Sequence, residues 1–136
     1  MSRTTLEQLA SVHVDRARLE KPSDELRQFV RSVADDYEPE RENRSSERFP
    51  AAMEVVCIPF DSEHNQCGVP VIALSRNVSV GGISLVYTRP IPADFLMVTL
   101  DNGKTDPLNM VVEVLRCRRL GRFFEIAGKF TSKLER

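Results

Sequence analysis

The stretch Gly82–Arg118, GISLVYTRPIPADFLMVTLDNGKTDPLNMVVEVLRCR, decides the fold class. It contains three apolar runs rich in Val, Ile, Leu and Phe, separated by the segments RPIPAD and DNGKTDP. β-Branched and aromatic residues favour strands, whereas Pro, Gly, Asn and Asp favour turns. Asp101, Asn102 and Gly103 are especially suited to a hairpin bend. The stretch therefore predicts consecutive strands with no helix between them.

The same pattern continues on both sides of this stretch. Two further turn segments, DSEHNQCG and RRLG, join the first and last pairs of apolar runs. Short strands without intervening helices favour an antiparallel barrel or sandwich, and a small closed barrel removes exposed edges. The predicted fold class is mainly β, a six-stranded antiparallel β-barrel. Its predicted strands are Ala52–Pro59, Val69–Ser75, Gly82–Thr88, Phe95–Leu100, Asn109–Arg118 and Phe123–Phe130.

The residues before the barrel show helical periodicity instead. Thr5 and Gln8 form a capping-box pattern ahead of an apolar stripe that ends at Ala17. A second helix is predicted after Pro22, with an end near Tyr37 because Pro39 cannot continue it. We expect these helices to bury their stripes on the barrel. The predicted stripe residues are Leu6, Leu9, Ala10, His13 and Ala17, then Leu26, Phe29, Val30 and Val33.

Length and charge limit the function classes. At 136 residues the chain accommodates one compact domain, divided here into a helical extension (1–38), a polar linker (39–48) and the barrel (49–136). The net charge of −1 argues against a general DNA or RNA binder, which depends on phosphate contacts. Neither a membrane-spanning run nor a secretory signal is predicted, so the expected location is the cytoplasm.

Residues that could carry catalysis or bind metal are sparse in the sequence. Cys57, Cys67 and Cys117 lack CxxC spacing, which favours reduced thiols over a zinc site completed by His64. His64 falls in a predicted polar loop, and no nucleophile elbow, HExxH helix or phosphate-binding glycine loop occurs. The sequence therefore predicts a protein that is not an enzyme, with no metal and no cofactor.

Two polar segments remain for function. The linker contains RSSER, with Arg44 and Arg48 four residues apart, just before the first predicted strand. The segment NVSVGG, Asn77–Gly82, falls between the second and third predicted strands. On its own this segment is typical of a tight turn, because Asn and Gly tolerate positive φ and Ser bonds to local backbone.

Together, the two segments resemble the paired signature of the PilZ domain, RxxxR followed by [D/N]xSxxG. The likeness extends over Arg41–Phe130: RFPAAMEVVCI resembles the strand that follows the second arginine, and GGISL resembles the strand after the serine motif. FEIAGKF, Phe124–Phe130, resembles the closing strand. PilZ domains are bacterial receptors for cyclic di-GMP, a nucleotide second messenger.

The resemblance implies the ligand-binding residues. They are Arg44, Arg48, Asn77, Ser79 and Gly82. An arginine fork can donate to O6 and N7 of guanine or clamp a phosphate, and it stacks on a purine face. Asn77 offers both a donor and an acceptor, and Ser79 adds a hydroxyl. Gly82 leaves room for a backbone turn or for a ligand.

The position of both arginines in the linker suggests how such a receptor signals. Ligand contacts in the linker would change how the N-terminal helices sit on the barrel, or would change the binding of a downstream protein partner. Many family members have arginine directly before RxxxR, where this chain has Asn43, so the number of ligands per site, one or two, stays open. A homodimer is a separate open alternative. The alternative function is a PilZ-like interaction adaptor that binds no ligand.

Overall fold

A computed structural model describes residues 16–34, 52–101 and 106–134. Its six strands close into an antiparallel barrel in the order β1-β2-β3-β6-β5-β4, which confirms the predicted fold class. Most of the first predicted helix lies outside the described residues, which begin with a 3-10 turn at Arg16–Arg18. The strands are β1 (Glu54–Phe60), β2 (Val71–Val78), β3 (Gly82–Tyr87), β4 (Phe95–Leu100), β5 (Leu108–Leu120) and β6 (Phe123–Leu134).

The strand boundaries differ from the predictions most at two places, and β1 and β2 also begin two residues later than predicted. β2 continues to Val78, three residues past its predicted end, so Asn77 lies in a strand and not in a turn. The last hairpin is longer, because β5 runs to Leu120 and β6 runs to Leu134. The end of β5, LRCRR, is exposed and carries no apolar alternation, so the periodicity that marks a buried strand is missing there.

The barrel interior is filled by alternate residues of all six strands. Twelve buried side chains form one cluster, and the six strands pair around it as a closed barrel. This alternation leaves every second side chain on the outer face of the barrel. The interior cluster contains Met53, Val55, Cys57, Ala73, Ile83, Leu85, Ile91, Leu96, Val98, Leu100, Val112 and Ile126.

A single α-helix is described, α1 (Asp24–Ala34), and it packs on the outer face of β2 and β3. Ser23 caps it by accepting a hydrogen bond from Leu26 N–H at 3.2 Å. Asp24 and Glu25 place negative charge in its first turn. Tyr37, its predicted end, lies outside the described residues. None of the described helices is long and apolar enough to cross a membrane.

The predicted burial of the second helix on its own barrel is confirmed. Leu26 and Val30 are fully buried. The ring of Phe29 packs on the ring of Phe123 in β6, with their centroids 5.1 Å apart. Gly121, in the β5–β6 turn, has a φ of 61°, and a Cβ there would lie 3.0 Å from the Phe29 ring. Ala17, by contrast, is exposed, which contradicts its place in the predicted apolar stripe.

Candidate binding face on the outer barrel surface

A β-bulge in β2 orients the motif residues. Ser75 pairs with Leu85 and Asn77 pairs with Ser84, so Arg76 is an extra residue without a partner on β3. Ser75 is buried and Val78 packs against the interior cluster, whereas Arg76 reaches across the outer face to Glu125. A bulge places two successive side chains on one side of a strand. Arg76 and Asn77 consequently share the outer face.

Asn77 is exposed on this face. Its cross-strand partner Ser84 points outward, because the Ser84 hydroxyl donates to Glu125. Within the described part of the chain, the Asn77 amide makes no side-chain hydrogen bond. Its donor and acceptor therefore both remain available to a ligand.

The turn between β2 and β3 is tighter than the sequence indicated. Ser79 N–H donates to the Gly82 carbonyl at 2.9 Å, so only Val80 and Gly81 form the loop. The Ser79 hydroxyl is exposed and makes only long contacts with Gly82, at 3.3 Å and 3.4 Å. Hydrogen bonds of this length are weak. The hydroxyl can therefore exchange them for a ligand contact.

Gly82 meets a structural requirement that the sequence did not reveal. A Cβ added to Gly82 would lie 2.4 Å from the carbonyl oxygen of Gly128 on β6. A Cβ on Gly128 would in turn lie 2.3 Å from the carbonyl oxygen of Glu113 on β5. Glycine at both positions lets three strands approach closely where the barrel closes. The missing side chain of Gly82 thus makes room for the backbone of β6, whereas the sequence led us to expect a turn at Gly82 or a ligand close to it.

A cluster of charged residues occupies the same outer face beside Asn77. The Glu125 carboxylate, 1% exposed, accepts hydrogen bonds from Ser84 Oγ at 2.5 Å and from Arg76 Nη1 at 2.7 Å, both on Oε2. On Oε1 it accepts from Arg118 Nε at 2.8 Å and from Arg116 Nη2 at 3.3 Å. We call these five residues the Glu125 cluster.

Glu125 is ionised in this setting. Burial by itself raises the pKa of the Glu125 carboxyl. Hydrogen bonds from Ser84, Arg76 and Arg118, together with the positive charge of Arg118, outweigh the effect of burial and lower the pKa from 4.5 to about 2. At neutral pH the carboxylate therefore acts as a fixed negative charge that orients the arginines.

Sequence reasoning missed this cluster, although some signals were present. Glu125 interrupts the apolar run FFEIAG, where a strand periodicity assigns it to the outer face. Arg116 and Arg118 lie two residues apart in LRCRR and hence on one face of β5. Which outer residues of β2, β5 and β6 meet depends on the strand order and on the Arg76 bulge, and neither follows from local sequence.

Arg44 and Arg48 lie outside the described residues. The chain is described again from Ala52, whose N–H donates to the Ser75 carbonyl at 2.6 Å. Met53 N–H also donates to the Ser75 hydroxyl at 3.1 Å. The described chain thus resumes beside Ser75, which directly precedes Arg76 and Asn77.

The cysteines and His64 have other surroundings. Cys57 is buried in the barrel interior, where burial raises the pKa of its thiol to about 12, whereas Cys67 and Cys117 are exposed; all three are free thiols. His64 packs on Phe95 with ring centroids 4.8 Å apart. Over residues 16–34, 52–101 and 106–134, no group of three or more His, Cys, Asp or Glu side chains is placed to hold a metal ion.

No protein-family model, curated protein or solved structure matches this chain. The outer face of β2, β3, β5 and β6 is therefore interpreted from its own residues and from the resemblance of its motifs.

Proposed function

We propose that this protein is a cyclic di-GMP receptor whose binding face is the outer surface of the barrel around Asn77 and Ser79. The observation that carries the proposal is the exposure of both motif side chains on one face of the barrel, which also carries three arginines. The motif pair RSSER and NVSVGG supports the identity of the ligand. The closed six-stranded barrel is the fold that the resemblance implies.

The chemistry of the face suits this ligand. Cyclic di-GMP carries two phosphates and two guanines, so its receptor must offset negative charge and also bind a base edge. The exposed amide of Asn77 presents a donor and an acceptor that can pair with complementary groups on guanine. Arginine side chains can clamp phosphate or pair with guanine O6 and N7.

Covalent geometry keeps Arg48 of the linker within reach of this face. Arg48 precedes Ala52 by four residues, which limits the separation of their Cα atoms to about 14 Å. Ala52 in turn is hydrogen-bonded to Ser75. Arg48 can therefore contact a ligand bound at Asn77, and in this proposal both Arg44 and Arg48 do so.

The position of α1 supports a route from ligand to response. Leu74 pairs with Val86, Val86 pairs with Glu125, and Glu125 pairs with Arg118, so these four form one cross-strand row. At one end of this row, Leu74 and Val86 pack against α1. At the other end, Glu125 and Arg118 belong to the Glu125 cluster. The linker 39–48 joins α1 to β1. A ligand that engages Arg44 and Arg48 would therefore bias the packing of α1, or expose a surface to a protein partner.

The test is a calorimetric titration of the full chain with cyclic di-GMP. The wild type should bind, and Arg44→Ala and Arg48→Ala should each weaken binding about tenfold or more, because a charge-assisted hydrogen bond contributes about 1.5–3 kcal/mol. Arg119→Ala is the matched control, since Arg119 bonds to the Gly121 carbonyl and lies over Phe124, away from the Glu125 cluster.

Two results would reject the proposal. One is a wild type that does not bind, in which case a protein-interaction adaptor becomes the leading function. The other is binding that persists unchanged in both arginine variants, which would show that the ligand sits elsewhere.

A further inference from the structure

The Glu125 cluster carries more positive charge than its carboxylate can balance. Arg76, Arg116 and Arg118 all bond to the single carboxylate of Glu125, which leaves two positive charges without an anion among the described residues. One arginine would suffice to neutralise a buried glutamate. Three guanidinium groups around one carboxylate repel one another, and this repulsion disfavours the arrangement unless a second anion joins it.

The three arginines also have N–H donors that do not bond to Glu125. Each guanidinium has five N–H donors, and the bonds to Glu125 use one per arginine. The side chains of Arg116 and Arg118 are 54% and 51% exposed, so their remaining donors face solvent. Glu125 holds Arg118 by a 2.8 Å hydrogen bond and Arg116 by a longer contact of 3.3 Å, so both guanidinium groups keep donors that phosphate oxygens can accept.

The Glu125 cluster lies close enough to Asn77 for one dinucleotide to contact both. Asn77 pairs with Ser84, Ser84 with Ala127, and Ala127 with Arg116, so a single cross-strand row connects Asn77 to Arg116. Three strand spacings amount to about 14 Å between the two backbones, and the long arginine side chains shorten the gap. A ligand whose base contacts Asn77 can thus place a phosphate over the arginines.

We propose that Arg116 and Arg118, together with Arg76 and held by Glu125, form a phosphate-binding subsite for one phosphodiester group of the dinucleotide. This inference rests on the proposed function. In it Arg116 and Arg118 contact the ligand, whereas Glu125 is a positioning residue that touches only the arginines. The linker arginines are then free to bind the bases or the second phosphate.

The experiment is a titration of the full chain with cyclic di-GMP in wild type, in Arg116→Ala, and in the double variant Arg116→Ala/Arg118→Ala. The double variant should bind about tenfold more weakly or worse, because it loses two charge-assisted contacts. Arg116→Ala alone should weaken binding about threefold or more. This single variant keeps Arg76, Arg118 and Ser84 on Glu125, so its fold is retained. Arg119→Ala, with the same change in net charge on the same strand, should stay within about twofold of wild type.

Phosphorus NMR of the bound ligand supplies a readout that altered base contacts would not imitate. In the wild type one phosphorus resonance should shift on binding through contact with the arginines. In the double variant at saturating ligand it should return toward its free position, while the rest of the complex persists.

The outcomes separate this inference from the function on which it rests. A wild type that fails to bind overturns both. A wild type that binds, with a double variant of unchanged affinity and unchanged phosphorus resonances, overturns the subsite alone. An equal loss in Arg119→Ala also overturns the subsite, because net charge and not position would then explain the effect.

Discussion

Glu125→Gln tests the electrostatics of the outer face most directly. The substitution keeps the size of the side chain but removes the charge that holds Arg76, Arg116 and Arg118 together. Lowering the pKa of Glu125 from 4.5 to about 2 corresponds to about 3 kcal/mol of folding free energy at neutral pH. We therefore expect Glu125→Gln to lower the free energy of unfolding by about 3 kcal/mol at pH 7.

The pH dependence of this loss has a definite sign. Because the pKa of Glu125 is lower in the folded protein than in the unfolded chain, its stabilisation is present in full above about pH 4.5 and disappears as the pH falls toward 2. The difference between wild type and Glu125→Gln should therefore shrink over the same interval.

Urea unfolding followed by far-ultraviolet circular dichroism, at pH values from 2 to 7, measures this difference. Glu113→Gln is the matched control, since Glu113 is 40% exposed and pairs with Lys129 at the surface of the same sheet. It should cost less than about 1 kcal/mol at every pH. The reasoning is wrong if Glu125→Gln costs no more than the control at pH 7, or if its cost does not change between pH 5 and pH 2.

Two further predictions concern the barrel itself. Gly82→Ala should lower the free energy of unfolding by about 2 kcal/mol, because the added Cβ would lie 2.4 Å from the Gly128 carbonyl oxygen. Gly81→Ala is the control and should change this free energy little, because no atom lies within 4 Å of its added Cβ. Equal urea midpoints for the two variants would contradict the prediction. In titration with a thiol reagent at pH 8, the exposed Cys67 and Cys117 should react at once, whereas Cys57 should react only on unfolding. The reason is that burial raises the pKa of the Cys57 thiol to about 12. Equal reaction rates for the three cysteines would refute this prediction.

The strands were predictable where an apolar run lies between clear turn segments. β3 and β4 were located to within one residue for this reason. The end of β2 was missed, since Asn77 and Ser79 have the composition of a turn. The backbone is held there by pairing with Ser84 and Ile83 of β3, and such tertiary pairing overrides local preference.

The candidate binding residues were predictable only in part. Asn77 and Ser79 were found through their spacing, and the structure describes both as exposed. Gly82 was also found, but its requirement for glycine comes from Gly128 on a strand far along the chain. The binding roles of all five residues stay predictions, and Arg44 and Arg48 also lie outside the described residues.

By itself, the sequence determined the class of fold and the motif pair, because apolar alternation, turn residues and motif spacing are local properties of the chain. The tertiary structure alone decided that Arg76, Arg116 and Arg118 meet on Glu125. That meeting requires β6 to lie between β3 and β5, and the bulge in β2 adds Asn77 to the outer face that carries Arg76. Strand order and register depend on how the whole barrel closes over its core, which no local segment encodes.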